Sequence, residues 1–268
     1  MQSVQICIPA EQQDELIAQL CTLGYEGFEQ TDTHLLAYIQ TSNFNLDSLN
    51  ILLSKYELTA SLSTIEKTNW NAVWESNFQP IQIGDQIGVR ADFHPPFEGV
   101  IHDLIITPRM SFGTGHHATT ALMLETMLEI SLKDTSVLDF GTGTGILGIL
   151  AARLGASKIV AIDNDTWCIE NAQDNCLMNK VTLDLQLAEV PPSNQTFDVV
   201  LANINLHIIQ ANLHLLRKCL NSKGILLLSG LLSQDETAVH QSCTQAGLAL
   251  LSKKEKNGWL ALLYHQGA

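Results

Sequence analysis

The feature that most constrains this chain is a glycine-rich turn between a short apolar segment and a helical pattern. Residues 136–138 are predicted to form a strand that ends in an acid, Asp139, and three glycines (Gly141, Gly143 and Gly145) then alternate with threonines. Glycine has no Cβ, so such a turn can adopt positive φ angles and allow a ligand to approach the backbone. The helix predicted at 146–154 would direct its free N–H groups toward that ligand. This pattern is typical of a nucleotide or nucleotide-like cofactor site in a parallel α/β sheet.

The second half of the chain alternates between strand and helix patterns, which predicts an α/β fold with a doubly wound, Rossmann-like sheet. Asn257-Gly258 is a strong hairpin signal, and it predicts a terminal antiparallel hairpin that places one antiparallel strand at the edge of the sheet. The predicted strands cover 158–162, 183–187, 197–202, 225–229, 248–251 and 259–264, and the predicted helices cover 166–179, 206–220 and 233–246.

Residues 1–66 are predicted to form a small α+β domain in which strands and helices follow the order βαββαβ, the ferredoxin-like arrangement. RNA-recognition domains share this order, but their strands carry stacking aromatic residues and flanking basic residues. The first 66 residues lack both features. A protein-docking role is therefore favoured over RNA binding.

The segment 67–80 is predicted to be a linker helix. Trp70, Trp74 and Phe78 are spaced four residues apart, so they would share one helical face that packs against a neighbouring domain. The remaining residues, 81–268, are predicted to form the larger domain that contains the glycine turn.

The composition limits the partners that the chain can bind. Its 268 residues include 14 Lys and Arg against 28 Asp and Glu, a net charge of −14. Such a surface repels phosphates, so we expect no direct nucleic-acid binding and favour a basic protein partner. No apolar run reaches the roughly 18 residues of a membrane helix, and no secretory signal is recognisable, so we expect no membrane association. Six cysteines without paired spacing are typical of a reduced, cytoplasmic protein.

Two cofactor classes fit the glycine turn. The segment 143–148 matches the GxGxxG pattern of dinucleotide-binding enzymes, and Asp163 follows Gly143 by twenty residues, so an NAD-dependent oxidoreductase is one alternative. In that fold the first glycine follows the strand directly and approaches a pyrophosphate, beside which Asp139 would be unfavourable. S-adenosylmethionine has no phosphate and carries two positive groups, so Asp139 and the additional Gly141 favour it. In either case Asp163 is predicted to accept hydrogen bonds from ribose hydroxyls.

A second candidate ligand loop lies upstream, at 110–120. Two glycines and several hydroxyl residues there precede a helix predicted at 119–130, which is a favourable position for ligand binding. His116 and His117 could be metal ligands, but adjacent side chains point apart and no cluster of carboxylates accompanies them. We therefore predict no metal site.

Taken together, these motifs resemble the bacterial ribosomal protein L11 methyltransferases (PrmA family). The resemblance rests on the pairing of 112–120 (FGTGHHATT) with 138–145 (LDFGTGTG), and it extends to 160–165 (VAIDND) and 200–204 (VLANI). It spans essentially the whole chain. It implies a class I S-adenosylmethionine-dependent methyltransferase domain preceded by a ferredoxin-like substrate-recognition domain. It also implies methyl transfer to lysine and N-terminal amino groups of a large-subunit ribosomal protein.

By this resemblance Thr120, Gly141, Asp163 and Asn203 correspond to positions that bind S-adenosylmethionine. Gly143, from the glycine turn itself, completes the predicted cofactor-binding set. The alternatives at this stage are the NAD-dependent oxidoreductase, a methyltransferase that acts on another protein or a small molecule, and a non-catalytic cofactor-binding protein.

Methyl transfer to an amine requires a neutral nitrogen. Neutralising a lysine of pKa about 10.4 at pH 7 costs roughly 4.6 kcal/mol, whereas an α-amino group of pKa about 7.7–8.0 costs about 1 kcal/mol. The residue that faces the amine should accept a hydrogen bond without stabilising the charged form, and the amide oxygen of Asn203 can do this. Asn203 could instead cap the next helix, but Asn205 is better placed for capping. We therefore predict that Asn203 is catalytic and that Asp139 only orients the glycine turn.

Overall fold

The structure is a computed structural model that describes residues 2–64, 78–107 and 111–267. It divides into two compact units, Met1–Asn77 and Phe78–Ala268. Within the described ranges, no helix is long and apolar enough to cross a membrane.

The predicted linker helix lies mostly outside the described residues, and this includes Trp70 and Trp74. Phe78 is described and is only 9% exposed. Its ring lies in an edge-on contact with the imidazole of His116, with the ring centroids 4.7 Å apart. Phe78 therefore packs within the second unit.

In its described residues, 2–64, the first unit contains a four-stranded sheet and two helices. All neighbouring strands are antiparallel, and their spatial order is β2-β3-β1-β4. This spatial order and the element order are those of a split-βαβ arrangement. The elements are β1 (Gln2–Cys7), α1 (Ala10–Thr22), β2 (Gly27–Gln30), β3 (His34–Ile39), α2 (Leu46–Ser54) and β4 (Ala60–Thr64).

Alternation along β1 determines which face of this sheet is covered. Val4 and Ile6 are fully buried, whereas Gln5 and Cys7 are exposed. This is expected because successive side chains of a strand point to opposite faces. Among the residues of this unit whose burial is described, Gln13 of α1 is the only buried polar one. Its Nε2 donates to backbone carbonyls at 3.0 and 2.7 Å, so this amide nitrogen is buried without a hydrogen-bonding penalty.

The second unit contains a seven-stranded sheet, a three-stranded sheet and five helices among the residues described. Its elements are β5 (Ile81–Ile83), β6 (Ile87–Arg90), β7 (His102–Ile105), α3 (Ala118–Met127), β8 (Ser136–Phe140), α4 (Ile146–Arg153), β9 (Lys158–Asp163), α5 (Thr166–Asn179), β10 (Asp184–Leu187), β11 (Phe197–Asn203), α6 (Leu206–Lys218), β12 (Leu220–Leu232), a 3₁₀ turn (Ser233–Asp235), α7 (Glu236–Gln245), β13 (Leu248–Lys256) and β14 (Trp259–Gln266).

The large sheet has the order β10-β9-β8-β11-β12-β14-β13, so β11 is its central strand and β8 lies next to it. Neighbouring side chains of β8 enter different cores. Val137 packs with α3 and α4 on one face, whereas Leu138 packs with α6 and α7 on the other. The predicted doubly wound architecture is confirmed. The order of the strands reverses between β8 and β11, because β9 and β10 follow β8 on one side of it and β11 and β12 lie on the other. The carboxyl ends of the parallel strands β8 and β11 therefore flank a crevice.

The position of the antiparallel strand differs from the prediction. The antiparallel strand is β14, and it lies between β12 and β13 rather than at the edge. Residues Leu260–Tyr264 are continuously buried, whereas β13 carries Lys253, Lys254 and Lys256. Lysine-rich strands are suited to an exposed edge and apolar strands to the interior. Composition therefore determines which arm of the hairpin is inserted.

Strand β12 extends beyond the predicted segment 225–229 because Gly230 does not end it. Gly230 has a φ of +82° and lies at a register shift between Leu228 and Leu231. A Cβ on Gly230 would overlap the backbone of Ile204. This glycine therefore permits a close approach between β12 and the turn that follows β11.

The small sheet has β6 at its centre, antiparallel to β5 and parallel to β7. Arg90 at the end of β6 forms an ion pair of 2.9 Å with Asp103 of β7. Arg90 is nearly buried, so this pair fixes the two strands together where β7 leads toward the upstream loop.

Candidate active site

A cavity of about 430 Å³ opens at the carboxyl ends of β8, β9 and β11. This is the crevice that the strand order predicts for a ligand. It is lined by Phe112, His117, Thr119, Gly141, Gly143, Asp163, Asn164, Asp165, Cys168, Asn203, Ile204, Asn205, Ile208, Gly230 and Trp259. Residues from the glycine turn and from the upstream loop are both present, so the two predicted ligand loops form one site.

Gly141 begins the turn with a φ of +78°, directly after β8. Its N–H donates to the carbonyl of Ile162 over 2.9 Å. A Cβ at this position would overlap the side chain of Ile204 from the turn after β11. Only glycine therefore allows these two turns to meet at the cavity wall.

Gly143 connects the turn to both neighbouring elements. Its N–H donates to Oδ2 of Asp163 over 2.9 Å, and its φ is +55°. A Cβ there would overlap the carbonyl oxygen of Phe112. The other oxygen of Asp163 accepts from the N–H of Asp165 at 3.1 Å. Asp163 thus holds the turn and also lies on the cavity wall.

Asp139 lies beneath the glycine turn and is fully buried. Its Oδ2 accepts from the hydroxyl of Thr142 at 2.6 Å and from the N–H of Gly148 at 3.2 Å. Burial raises the pKa of this carboxyl to about 6, and the two hydrogen bonds oppose that rise. The carboxylate of Asp139 thus joins the turn to helix α4, and its role in orienting the turn stays a prediction.

Asn203 ends β11 and is 9% exposed. Its Nδ2 donates to Oγ1 of Thr120 over 3.3 Å. Its Oδ1 is buried and has no hydrogen-bond partner among the described residues. A buried acceptor without a hydrogen-bond partner is costly. A ligand that donates a hydrogen bond to this oxygen would remove that cost.

Asn205 is the N-cap residue of α6, as predicted, but its side chain makes no capping hydrogen bond. It lines the cavity instead. Asn203 is therefore not needed as a cap for this helix. The side chains of both asparagines can contact a ligand.

Three aromatic side chains lie together on one side of the cavity. The ring centroid of His117 is 5.3 Å from that of Phe112 and 4.7 Å from that of Trp259, both in edge-on contacts. His117 is the N-cap of α3, and its Nδ1 lies 2.8 Å from Oγ1 of Thr119. His116 turns elsewhere, and its Nε2 lies 2.8 Å from the carbonyl of Gln79. Within the described ranges, no cluster of three side chains has the composition of a metal site.

Of the predicted site residues, Gly141, Gly143, Asp163 and Asn203 line the cavity. Thr120 is fully buried and is absent from the described lining, whereas its neighbour Thr119 is present. Thr120 contacts the site only through Asn203.

Sequence reasoning missed Phe112 and His117 as individual residues, although the upstream loop that contains them was identified. It also missed Trp259, which begins β14 after the hairpin turn. Nothing local distinguishes Trp259 from any aromatic residue that begins a strand, and only the insertion of β14 brings it to the cavity.

The residues present fit S-adenosylmethionine. Two of the lining residues are carboxylates, Asp163 and Asp165, and the described lining contains no lysine or arginine. A pyrophosphate would be repelled at such a wall, whereas an ammonium and a sulfonium would be attracted. The glycine turn offers open backbone, and Asn203 Oδ1 offers an acceptor without a partner.

The fold and the site define a class I S-adenosylmethionine-dependent methyltransferase. A model of the family described as ribosomal protein L11 methyltransferase (PrmA) matches residues 2–266. The chain therefore belongs to the ribosomal protein L11 methyltransferase family, and the dinucleotide alternative is set aside.

Individual relatives agree with this assignment. The chain is 41% identical to a ribosomal protein L11 methyltransferase of Porphyromonas gingivalis over 260 residues, which cover 94% of this chain and 90% of the relative. It is 36% identical to that of Bacteroides fragilis, over 94% of this chain and 93% of the relative. A solved ribosomal protein L11 methylase from Lactobacillus delbrueckii subsp. bulgaricus superposes with a TM-score of 0.66 at 25% identity, covering 71% of this chain and all of that one.

Proposed function

We propose that this chain methylates ribosomal protein L11 on lysine side chains and on the α-amino group, with Asn203 as the catalytic residue. The names of its relatives support the substrate. The observation that carries the chemistry is the buried Oδ1 of Asn203, an acceptor with no partner among the described residues at the wall of the cofactor cavity.

S-adenosylmethionine supplies an electrophilic methyl group on a positively charged sulfur. Thr120 holds the amide nitrogen of Asn203, so the amide oxygen is the atom that remains for a ligand. This oxygen accepts a hydrogen bond from the neutral target amine and directs the nitrogen lone pair toward the methyl group. An amide carries no charge and therefore does not favour the protonated amine. The amine loses its proton to solvent before transfer, and catalysis is mainly positioning.

The aromatic wall formed by Phe112, His117 and Trp259 suits the aliphatic stem of a lysine. Long charged side chains bury their methylene groups against apolar surfaces while the terminal nitrogen reaches a polar position. Cation–π attraction also favours an arriving ammonium beside aromatic rings. The wall and Asn203 line the same cavity, so a lysine lying along the rings would bring its amine to the amide oxygen.

For cofactor binding we assign Gly141, Gly143, Asp163 and Asn203 to direct contact, and Thr120 to indirect support through Asn203. Asp163 accepts hydrogen bonds from the ribose hydroxyls, since its carboxylate lies on the cavity wall. The glycines allow the cofactor to approach the backbone.

The first unit is assigned the role of substrate recognition. Its split-βαβ sheet is not required for the methyltransferase fold, and the chain's net charge of −14 is complementary to a basic ribosomal protein. Charge complementarity accelerates encounter between such partners. We place the reaction in the cytoplasm and expect no direct contact with nucleic acid.

The test uses the purified protein, unmodified ribosomal protein L11 and isotopically labelled S-adenosylmethionine, with peptide mapping by mass spectrometry. We expect label on lysine side chains and on the amino terminus, and none with Asn203→Ala. Label on another protein in a ribosomal extract, with none on ribosomal protein L11, would overturn the substrate. Label on arginine or on oxygen atoms would overturn the role assigned to Asn203.

A further inference from the structure

Three asparagines follow one another at four-residue intervals on helix α5. Asn171, Asn175 and Asn179 are all fully buried, although asparagine is a mostly exposed residue type. Buried amides are stable only when they are hydrogen-bonded.

Asn179 and Asn175 bind the backbone at and beyond the end of strand β7. Oδ1 of Asn179 accepts from the N–H of Ile105 at 3.0 Å, and its Nδ2 donates to the carbonyl of the same residue at 2.6 Å. Oδ1 of Asn175 accepts from the N–H of Thr107 at 2.9 Å. Ile106 lies between Ile105 and Thr107, and its N–H points to the opposite side and donates to the carbonyl of Arg90 on β6.

This pattern has a geometric basis. Four residues of an α-helix rise about 6 Å, and two residues of a strand rise about 6.6 Å. Asparagines four apart on a helix can therefore bind alternate residues of an extended chain. The face of α5 thus takes the place of a neighbouring strand along residues 105–107.

Asn175 also binds the glycine turn, whereas the hydrogen bonds of the Asn179 side chain go to Ile105 and to the carbonyl of Asn175. Its Nδ2 donates to the carbonyl of Thr144, in the glycine turn, at 2.8 Å. Thr144 in turn is joined to the upstream loop: its N–H donates to the carbonyl of Phe112 at 3.0 Å and its hydroxyl donates to the carbonyl of Gly113 at 2.6 Å. Only one orientation of an amide accepts from Thr107 while donating to Thr144.

We propose that Asn175 is a positioning residue that joins the glycine turn, one wall of the cofactor cavity, to Thr107 in the segment that leads into the upstream loop. It acts through Thr144 and Thr107. The inference concerns cofactor binding, so it holds whichever amine is methylated.

The first test compares Asn175→Asp with Asn179→Asp as a matched control. Both residues are fully buried on the same helix face. In each variant a carboxylate oxygen replaces the amide nitrogen that donates to a backbone carbonyl. We expect similar losses of thermal stability. Calorimetry with S-adenosylhomocysteine should show Kd rising about tenfold in Asn175→Asp, about 1.4 kcal/mol, and less than threefold in Asn179→Asp. The KM for the cofactor should rise in the same way with kcat little changed.

Equal effects of the two substitutions on Kd, or no effect of Asn175→Asp, would overturn the proposal. A second measurement uses the unmodified protein and so does not depend on the folding of a variant. Coupling between sites is reciprocal, so S-adenosylhomocysteine should increase the hydrogen-exchange protection of the Thr107 amide. The Ile105 amide, which is held by Asn179, should respond less. A Thr107 amide that does not respond to the cofactor analogue would contradict the coupling.

Discussion

Asn203 and Thr120 are 83 residues apart in the chain, and their side chains meet over 3.3 Å between Nδ2 and Oγ1. In this contact the amide nitrogen of Asn203 donates to the threonine hydroxyl. The amide oxygen has no partner among the described residues. A threonine inside α3 thus engages one end of the amide at the end of β11, and the other end is left for a ligand.

Two substitutions of Asn203 should separate the effect of losing its hydrogen bond from the effect of adding a negative charge. Asn203→Ala should lower kcat by about 100-fold, roughly 2.7 kcal/mol, with little change in pH dependence. Asn203→Asp places a negative charge beside the amine and raises the amine's pKa. Its kcat should therefore also fall at pH 7 but recover as pH rises. Rate profiles from pH 6 to 10 test this, and parallel profiles for the two variants would rule out the charge argument.

Thr120→Val should lower kcat by about tenfold, or about 1.4 kcal/mol, because Asn203 loses the acceptor that fixes its amide. The Kd for S-adenosylhomocysteine should change less than twofold, since Thr120 is absent from the described cavity lining. Thr126→Val is the matched control: Thr126 is buried on the same helix and bonds only to the carbonyl of Leu122. If both variants lose the same activity, Thr120 has no special role.

Gly143→Ala should abolish cofactor binding and destabilise the second unit by more than about 2 kcal/mol. The reason is steric as well as conformational, because the new Cβ would overlap the carbonyl of Phe112. Gly84→Ala is the control, since Gly84 has nearly the same φ, +58° against +55°, and open space around it. That variant should cost only about 1 kcal/mol. Thermal unfolding and calorimetry measure both effects, and equal losses in the two variants would contradict the steric argument.

Asp139→Asn should change how stability depends on pH. The folded-state pKa of Asp139 is raised to about 6 from its usual 3.8. Below pH 3.8 the carboxyl is protonated in both states, and as pH rises through 6 the folded protein must bury a charge. The wild type therefore loses up to about 3 kcal/mol over this interval.

The amide in Asp139→Asn stays neutral, so the variant does not lose this stability. The free energy of unfolding of the variant, relative to the wild type, should increase from pH 4 to pH 7 and then remain constant. Denaturant unfolding at these pH values measures the difference. A constant difference across the range would show that burial does not raise the pKa of this carboxyl.

Much of the fold was predictable because its signals are local. The alternation of strands and helices, the hairpin at Asn257-Gly258 and the glycine turn each depend on residues close together in sequence. The placement of β14 inside the sheet was not predicted correctly. It depends on a comparison between the two arms of the hairpin, in which the lysines of β13 favour the edge and the apolar residues of β14 favour the interior.

The site was predictable to the extent that it follows from strand ends. Gly141, Asp163 and Asn203 each lie at or just after the carboxyl end of a strand, and parallel strands bring such ends together. Trp259 lies at the start of an antiparallel strand, so the same rule does not identify it. Thr120 contacts Asn203 in the structure, and its role in cofactor binding stays a prediction.

By itself, the sequence determined the order of the elements, the glycine turn and the acid beneath it, because backbone propensity and side-chain periodicity act over a few residues. The tertiary structure alone decided which atom of Asn203 remains unpaired, which aromatic residues line the cavity and how Asn175 joins the glycine turn to Thr107. Those features depend on contacts between residues tens of positions apart. Such contacts are selected by packing of the whole domain, since most buried polar atoms find their partners only within the completed fold.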